Sequence, residues 1–150
     1  MKYGFIGCGN MGGAIAKALS RSTKKIIVAD PNPAVQILVA EIGCESGTNE
    51  DVASSAKHVV LAVKPQMMAS VIAPIAHILR DKKPTIITIA AGVEIAAIQQ
   101  MIGAPLPVIR LMPNTPVAVS KGMIVYCNSQ EVDDQILNDF IVDMRFAGRL

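Results

Sequence analysis

Tryptophan is absent from this chain and aromatic residues supply only 3% of it, although 51% of its residues are hydrophobic. A core without large rings has to be aliphatic, which suits a buried parallel sheet of Val and Ile. Charge is also thin, at 17% of residues, with a net of +2 and both signs scattered. No basic stripe forms, so nucleic acid is not an expected partner. The apolar stretches are too short and interrupted to span a bilayer, and Met1-Lys2-Tyr3 leads straight into a strand-like run with no signal peptide. No membrane partner is expected either. Cys8, Cys44 and Cys127 are odd in number and lack metal-type spacing, which leaves a reducing cytoplasm as the expected location and no metal site. His58 and His77 belong to no His/Asp or Ser/His constellation and read as structural or exposed. At 150 residues the chain fits one domain with a sizeable core.

What is present begins with Gly7-Cys8-Gly9-Asn10-Met11-Gly12, between the apolar run Tyr3-Gly4-Phe5-Ile6 and the helical pattern Ala14-Ile15-Ala16-Lys17-Ala18-Leu19. In that strand–turn–helix setting Gly7 permits the tight turn, Gly9 lets a diphosphate approach the backbone, and Gly12 lets the helix pack close to the strand. The N–H groups and positive end of the helix would then face an anion. Lys25-Ile26-Ile27-Val28-Ala29 reads as the next strand, and Asp30 stands at its carboxyl end. A carboxylate there can accept hydrogen bonds from the adenosine ribose, and would repel a 2′-phosphate, favouring NADH slightly over NADPH. Asp30-Pro31-Asn32-Pro33 is also strong turn chemistry in its own right. Cys8 occupies a freely variable position of the turn and carries no expected catalytic role.

Strand-like runs and helical periodicity then alternate. A helix is predicted over Ala34–Ile42, stopped by Gly43, and a short one at Asn49-Glu50-Asp51-Val52 with Asn49 as its cap. His58–Val63 reads as a buried strand, Met67–Leu79 as a helix, Thr85–Ala90 as a strand and Glu94–Ile102 as a helix. Pro107–Leu111 and Met123–Tyr126 read as strands, and Val132, Ile136, Leu137, Phe140, Ile141 and Met144 repeat at helical spacing. This alternation predicts an α/β, Rossmann-like doubly wound, mostly parallel sheet with helices on both faces and right-handed crossovers.

In such a sheet ligands bind beyond the carboxyl ends of the strands. Ala62-Val63-Lys64-Pro65-Gln66, Ala90-Ala91-Gly92-Val93 and Arg110-Leu111-Met112-Pro113-Asn114-Thr115-Pro116 follow three of them and should line the edge that carries the glycine turn. Each has a plainer reading as a strand stop, a compact turn or a rigid proline loop. Lys64 reads either as an electrostatic contact to cofactor or substrate or as an exposed strand-end lysine. Asn114 and Thr115 read either as hydrogen-bond donors near the substrate or as holders of their own loop.

Taken in order and spacing, Gly-Phe-Ile-Gly-Cys-Gly-Asn-Met-Gly, Ala-Val-Lys-Pro-Gln, Ala-Ala-Gly-Val and Arg-Leu-Met-Pro-Asn-Thr-Pro resemble the pyrroline-5-carboxylate reductases, over essentially the whole chain. The resemblance implies an NAD(P)H-dependent oxidoreductase that reduces the C=N bond of 1-pyrroline-5-carboxylate, an imino acid, to L-proline. It implies that Ile6, Gly7, Gly9, Asn10 and Met11 touch the cofactor at its diphosphate, with Asp30, Pro31 and Asn32 at the adenosine ribose. Asn49, Val63, Lys64, Pro65 and Ala91 fall on other cofactor-contacting positions, beside Ala62 and Gly92. Asp30 departs from the small or basic residues that the family often carries there to accept NADPH.

Family members continue into an all-helical domain that forms an interlocked dimer and supplies most of the imino-acid site, whereas this sequence stops at Arg149-Leu150. The expectation is therefore an isolated cofactor-binding domain over residues 1–150, not fully active alone, from a protein that is a homo-oligomer at full length. Hydride transfer requires alignment and exclusion of water, with the reactivity supplied by the cofactor, so no catalytic residue is assigned in this half. Two rivals stand beside this reading: another dehydrogenase of the same architecture, such as a β-hydroxyacid dehydrogenase or an F420-linked NADP reductase, and a reductase-like regulatory module that only binds nucleotide. The Arg-x-Met-Pro-Asn-Thr-Pro loop counts against the first.

Overall fold

The computed structural model of the chain describes residues 1–112, 122–123 and 125–149. Its first half alternates β1 (Tyr3–Ile6), α1 (Asn10–Leu19), β2 (Ile26–Ala29), α2 (Ala34–Ile42), β3 (Glu45–Ser46) and α3 (Asn49–Ser55). There follow β4 (His58–Leu61), α4 (Met68–Ile72), α5 (Ala76–Lys82), β5 (Thr85–Thr88), α6 (Ile95–Ile102) and β6 (Val108–Met112). The last elements are β7 (Gly122–Met123), β8 (Val125–Asn128), α7 (Asp134–Asp143) and β9 (Gly148–Arg149). Seven strands form one sheet in the order β3-β2-β1-β4-β5-β6-β8, and β7 pairs with β9 apart from it. The first six run parallel, and β8 returns antiparallel beside β6.

Side-chain alternation along each strand splits the core in two. Tyr3, Phe5, Ile26, Val28, Val60, Ile87 and Ile109 face α1, α2 and α7, where Ile15, Leu19, Val35 and Phe140 complete one cluster. Ile6, Ile27, Val59, Leu61, Ile86 and Val108 face α3 to α6, where Val52, Met68, Ile72, Leu79 and Ile98 complete the other. Helices thus cover both faces, as the doubly wound reading requires. Gly4 is where α3 comes nearest the sheet: a Cβ there would lie 2.6 Å from Val52 Cγ1 and 2.8 Å from the Ala56 Cβ.

Several expected elements are redrawn. The expected helix over Met67–Leu79 is not continuous. Pro65–Met67 and Ala73–Ile75 are 3₁₀ turns flanking α4, and in the second Pro74 offers no N–H to the preceding turn. Asn49 is not the cap of α3. Thr48 is, through a reciprocal box in which its hydroxyl accepts the Asp51 N–H at 3.1 Å and Asp51 accepts the Thr48 N–H at 3.0 Å. Glu94 is the residue before α6 and not its first turn. The strand expected over Met123–Tyr126 is two short ones, β7 and β8. β3 carried no hydrophobic signal because both of its residues are exposed. Gly43 does stop α2 in the left-handed conformation, at φ 69°.

Candidate functional site

The parallel ladder places the ends of β1, β2, β4, β5 and β6 on one edge, and the glycine turn emerges at its centre. Gly7 sits at φ +80°, and a Cβ on it would lie 2.8 Å from both the Ala62 carbonyl oxygen and Val63 Cγ1. Only glycine meets both conditions. Gly12 faces Ala62 so closely that a Cβ would sit 2.8 Å from the alanine's own, so α1 rides directly on the end of β4. Gly9 differs from both. Its backbone is ordinary for any residue, and no atom lies within 4 Å of where its Cβ would be. The space above it is open, as close approach by a ligand requires.

Gly9 also caps α1 without a side chain, and no acidic residue occupies the first turn. Among the described residues the N–H groups of Asn10, Met11 and Gly12 find no acceptor. Three convergent donors at the positive end of a ten-residue helix, beside open space, fit an anion. The donor set suits a diphosphate, whose oxygens accept and do not donate.

Asp30 organises the turn from the next strand. One carboxylate oxygen accepts the Cys8 N–H at 2.7 Å and the other the Asn32 N–H at 2.9 Å, while the Asn32 side-chain oxygen accepts from Ala34 N–H at 3.0 Å. Both readings of Asp30 therefore remain compatible, since each oxygen keeps a lone pair for a hydroxyl. A cleft of about 300 Å³ opens here between the starts of α1 and α2, lined by Cys8, Gly9, Asn10, Gly13, Asn32, Ala34, Val35 and Leu38. Gly13, Ala34, Val35 and Leu38 were not foreseen as lining. The signal lay in the helical spacing of Ala34, Val35 and Leu38, which gave α2 an apolar flank beside the turn. Burial, helped by the nearby Asp30 and Cys44, pushes the Cys8 thiol up to about 12, so it is an inert lining group.

Lys64 and Pro65 are exposed just past β4, and Val63 abuts Gly7. Asn49 opens α3 on the same edge, half-buried. Pro31 is exposed next to Asp30, and Ile6 is buried as the last residue of β1. Ala91 and Gly92 are exposed beyond β5, Gly92 at φ +75° with nothing within 4 Å of a Cβ. Asn114 and Thr115 lie outside the described residues.

A larger cleft, of about 910 Å³, lies at the opposite edge, between Lys57, His58 and Thr85 on the sheet and α7. Size does not decide between them: the helix that starts at the larger one carries a side-chain cap, and two of that cleft's carboxylates already hold partners within the protein, although the buried His58 Nδ1 has none among the described residues. Asp133 accepts the Ile136 N–H at 2.7 Å, and Asp139 pairs with Lys2 at 3.2 Å. Lys2 also pairs with Asp143 at 2.6 Å, and Asp143 accepts the Tyr3 hydroxyl at 2.7 Å. His58 stacks on Tyr3 with ring centres 4.9 Å apart and is buried, as a structural histidine. His77 is exposed.

The chain is similar to known reductases over most of its length. Residues 2–92 match the family model described as NADP oxidoreductase, coenzyme F420-dependent. A pyrroline-5-carboxylate reductase of Haemophilus influenzae is 39% identical over 123 residues, covering 79% of this chain and 45% of the relative. The structure of a pyrroline-5-carboxylate reductase from Coxiella burnetii superposes with a TM-score of 0.89 at 28% identity, covering 99% of this chain and 57% of the other. The Plasmodium falciparum pyrroline carboxylate reductase, solved with NADP bound, superposes with a TM-score of 0.83 at 26% identity, covering 99% and 55%. The chain spans about half the length of the curated relatives it matches.

Proposed function

Because the chain belongs to the pyrroline-5-carboxylate reductase family, we propose that it is the NAD(P)H-binding domain of an enzyme reducing the C=N bond of 1-pyrroline-5-carboxylate to L-proline. One observation carries the reading: the uncapped start of α1, with free N–H groups at Asn10, Met11 and Gly12 beneath open space at Gly9. Those groups and Gly7 would hold the diphosphate. Asp30, Pro31 and Asn32 would take the adenosine ribose. Ile6, Asn49, Ala62, Val63, Lys64 and Pro65 would border the cofactor along the edge, with Ala91 and Gly92 towards its nicotinamide end.

Bound there, the cofactor supplies a hydride to an electrophilic imine carbon. The chain's own part is to orient it and keep water away. Lys64, exposed past β4, offers a positive charge to an anionic ligand on that edge. Asn114 and Thr115 are assigned to the substrate side by their place in the Arg-Leu-Met-Pro-Asn-Thr-Pro loop alone. The free Cys8, Cys44 and Cys127 support a cytoplasmic setting. Residues 1–150 form the cofactor-binding domain in this reading, and the whole protein is a homo-oligomer on the family resemblance.

Asp30 should bias the site towards NADH, since a carboxylate at the end of β2 would repel a 2′-phosphate on the ribose bound there. The test is calorimetric titration with NADH and with NADPH. NADH should bind the unsubstituted chain, and Gly9→Val, whose side chain fills the open space, should abolish binding without unfolding the domain. Unchanged affinity in that variant would falsify the assignment. Asp30→Ser should move the NADPH-to-NADH affinity ratio upwards by about tenfold or more; a fixed ratio reduces Asp30 to a turn residue.

A further inference from the structure

The glycine-rich end of the crevice is fixed by tight contacts, whereas the loop between β5 and α6 is anchored in the core only at Ala90 and Val93 and leaves its tip in the open. Ala91 and Gly92 are exposed, and Gly92 has open space where a Cβ would point. At its start the Ala90 N–H donates to the Thr88 hydroxyl at 3.3 Å. At its end Glu94, the residue before α6, meets one side chain, Arg110, with Nη1 3.5 Å from Oε2.

Arg110 lies on β6 in register with Thr88, the last residue of β5. Strand alternation puts it on the same face as Val108, which packs in the cluster containing α6. Its side chain is 18% exposed, whereas that of Glu94 is 77% exposed. Its Nε is buried and has no hydrogen-bond partner among the described residues. A buried donor left unmade is costly, so a native structure that keeps one calls for an explanation. The ion pair is also long, since a charge-assisted N–H···O contact closes to about 2.7–2.9 Å. A cation held on a strand therefore meets an exposed carboxylate at the foot of the loop, at a distance that leaves room for the pair to close.

We propose that Arg110 is a positioning residue: through Glu94 it sets the loop Ala90–Val93 against the nicotinamide end of the bound cofactor. The inference rests on the cofactor reading above. When a ligand fills the crevice and displaces water beside the loop, the pair is less screened and closes. Arg110 then ties β6 to the loop at the end of the cofactor where the hydride leaves, and has no part in holding the adenine end.

The experiment compares NADH with ADP-ribose, which keeps the adenosine and diphosphate but lacks the nicotinamide. Glu94→Gln changes an exposed side chain and leaves the fold intact; it should weaken NADH by about threefold to fivefold, the scale of a solvent-edged ion pair. ADP-ribose affinity should not change. Arg110→Met should reproduce that pattern, Arg110→Lys should recover most of the loss, and the Arg110→Met/Glu94→Gln double variant should be no weaker than Arg110→Met. Equal weakening of both ligands, no weakening of NADH by Glu94→Gln, or additive losses in the double variant would overturn the proposal. If the unsubstituted chain binds neither ligand, the cofactor reading itself fails and takes this inference with it.

Discussion

The two edges of the sheet are built from opposite materials. At the amino edge most polar groups are met from within: Lys2 pairs with Asp143 and Asp139, Tyr3 donates to Asp143, and Ser22 donates to the Asp143 carbonyl at 2.8 Å, while His58 stacks on Tyr3 with its Nδ1 unpartnered among the described residues. At the carboxyl edge a helix begins with no cap side chain, no acidic residue and three donors without acceptors. Both edges are polar, but in the first Lys2, Asp139 and Asp143 are matched within the chain, and in the second the donors at the start of α1 find no acceptor among the described residues. A closed network stabilises the fold, whereas an open set of donors binds a ligand. The contrast also explains why the larger cleft is the weaker candidate.

The sharpest way to break this comparison is to substitute within one turn. Gly7→Val forces a β-branched residue to φ +80° and drives its Cβ into the Ala62 carbonyl 2.8 Å away. It should lose about 2–5 kcal/mol of stability, from left-handed strain and overpacking together. Gly9→Val, with open space around it, should cost only about 1 kcal/mol, the loss of a good N-cap residue, while removing NADH binding. Urea unfolding of the two variants beside their titrations checks this; equal destabilisation would erase the distinction between a structural and a ligand-facing glycine.

Next in size is the amino edge. Asp143→Ala leaves the Lys2 ammonium and the buried Tyr3 hydroxyl without their shared acceptor. A loss of about 2–3 kcal/mol is expected, seen as a lower thermal midpoint. Per bound molecule, NADH affinity should be unchanged, because this network lies across the sheet from the glycine turn. A weakened cofactor site in a variant still folded at the assay temperature would show that the edges are coupled.

The smallest effect is one of pH. Burial pulls the His58 pKa below its ordinary value of 6.5, although Asp139 opposes the shift and Lys2 and Lys57 add to it. The unfolded chain therefore takes up this proton more readily than the folded one. Stability from this group is complete above about 6.5 and declines as the pH falls from there towards the folded-state value. Urea midpoints at pH 7.5 and pH 5.5 should fall further apart in the parent protein than in His58→Gln. Parallel behaviour of the two proteins would remove His58 as the source.

The architecture was legible because its signals are periodic. Apolar runs gave β1, β2, β4 and β5, although the last two end at Leu61 and Thr88, two residues before the expected Val63 and Ala90, and Gly43 closed α2 in the left-handed conformation. The turn at Gly7 to Gly12 was legible because each glycine answers a separate geometric demand. Less visible were relations between distant residues. Nothing in Asp30 announces that it grips the Cys8 N–H, nor in Glu94 that Arg110 reaches it, since both depend on strand register. Thr48 was passed over for Asn49 because both are good cap residues, and the reciprocal hydrogen bond that decides is made with Asp51. β3 was missed because exposed Glu45 and Ser46 pair with β2 through backbone alone.

The strand order has a consequence for synthesis. β1 lies between β2 and β4, so the strand made before the other six in the sheet waits longest for its second neighbour. About fifty residues separate the two, a delay of a few seconds at ~5–20 residues added per second. Through that interval one side of Tyr3-Gly4-Phe5-Ile6 is an unpaired apolar edge, the kind that recruits other chains. Glycine inside a strand weakens its pairing and a flanking charge opposes edge-to-edge association, and Gly4 and Lys2 stand in those two positions. The glycine that admits α3 in the finished protein thus also protects the nascent one.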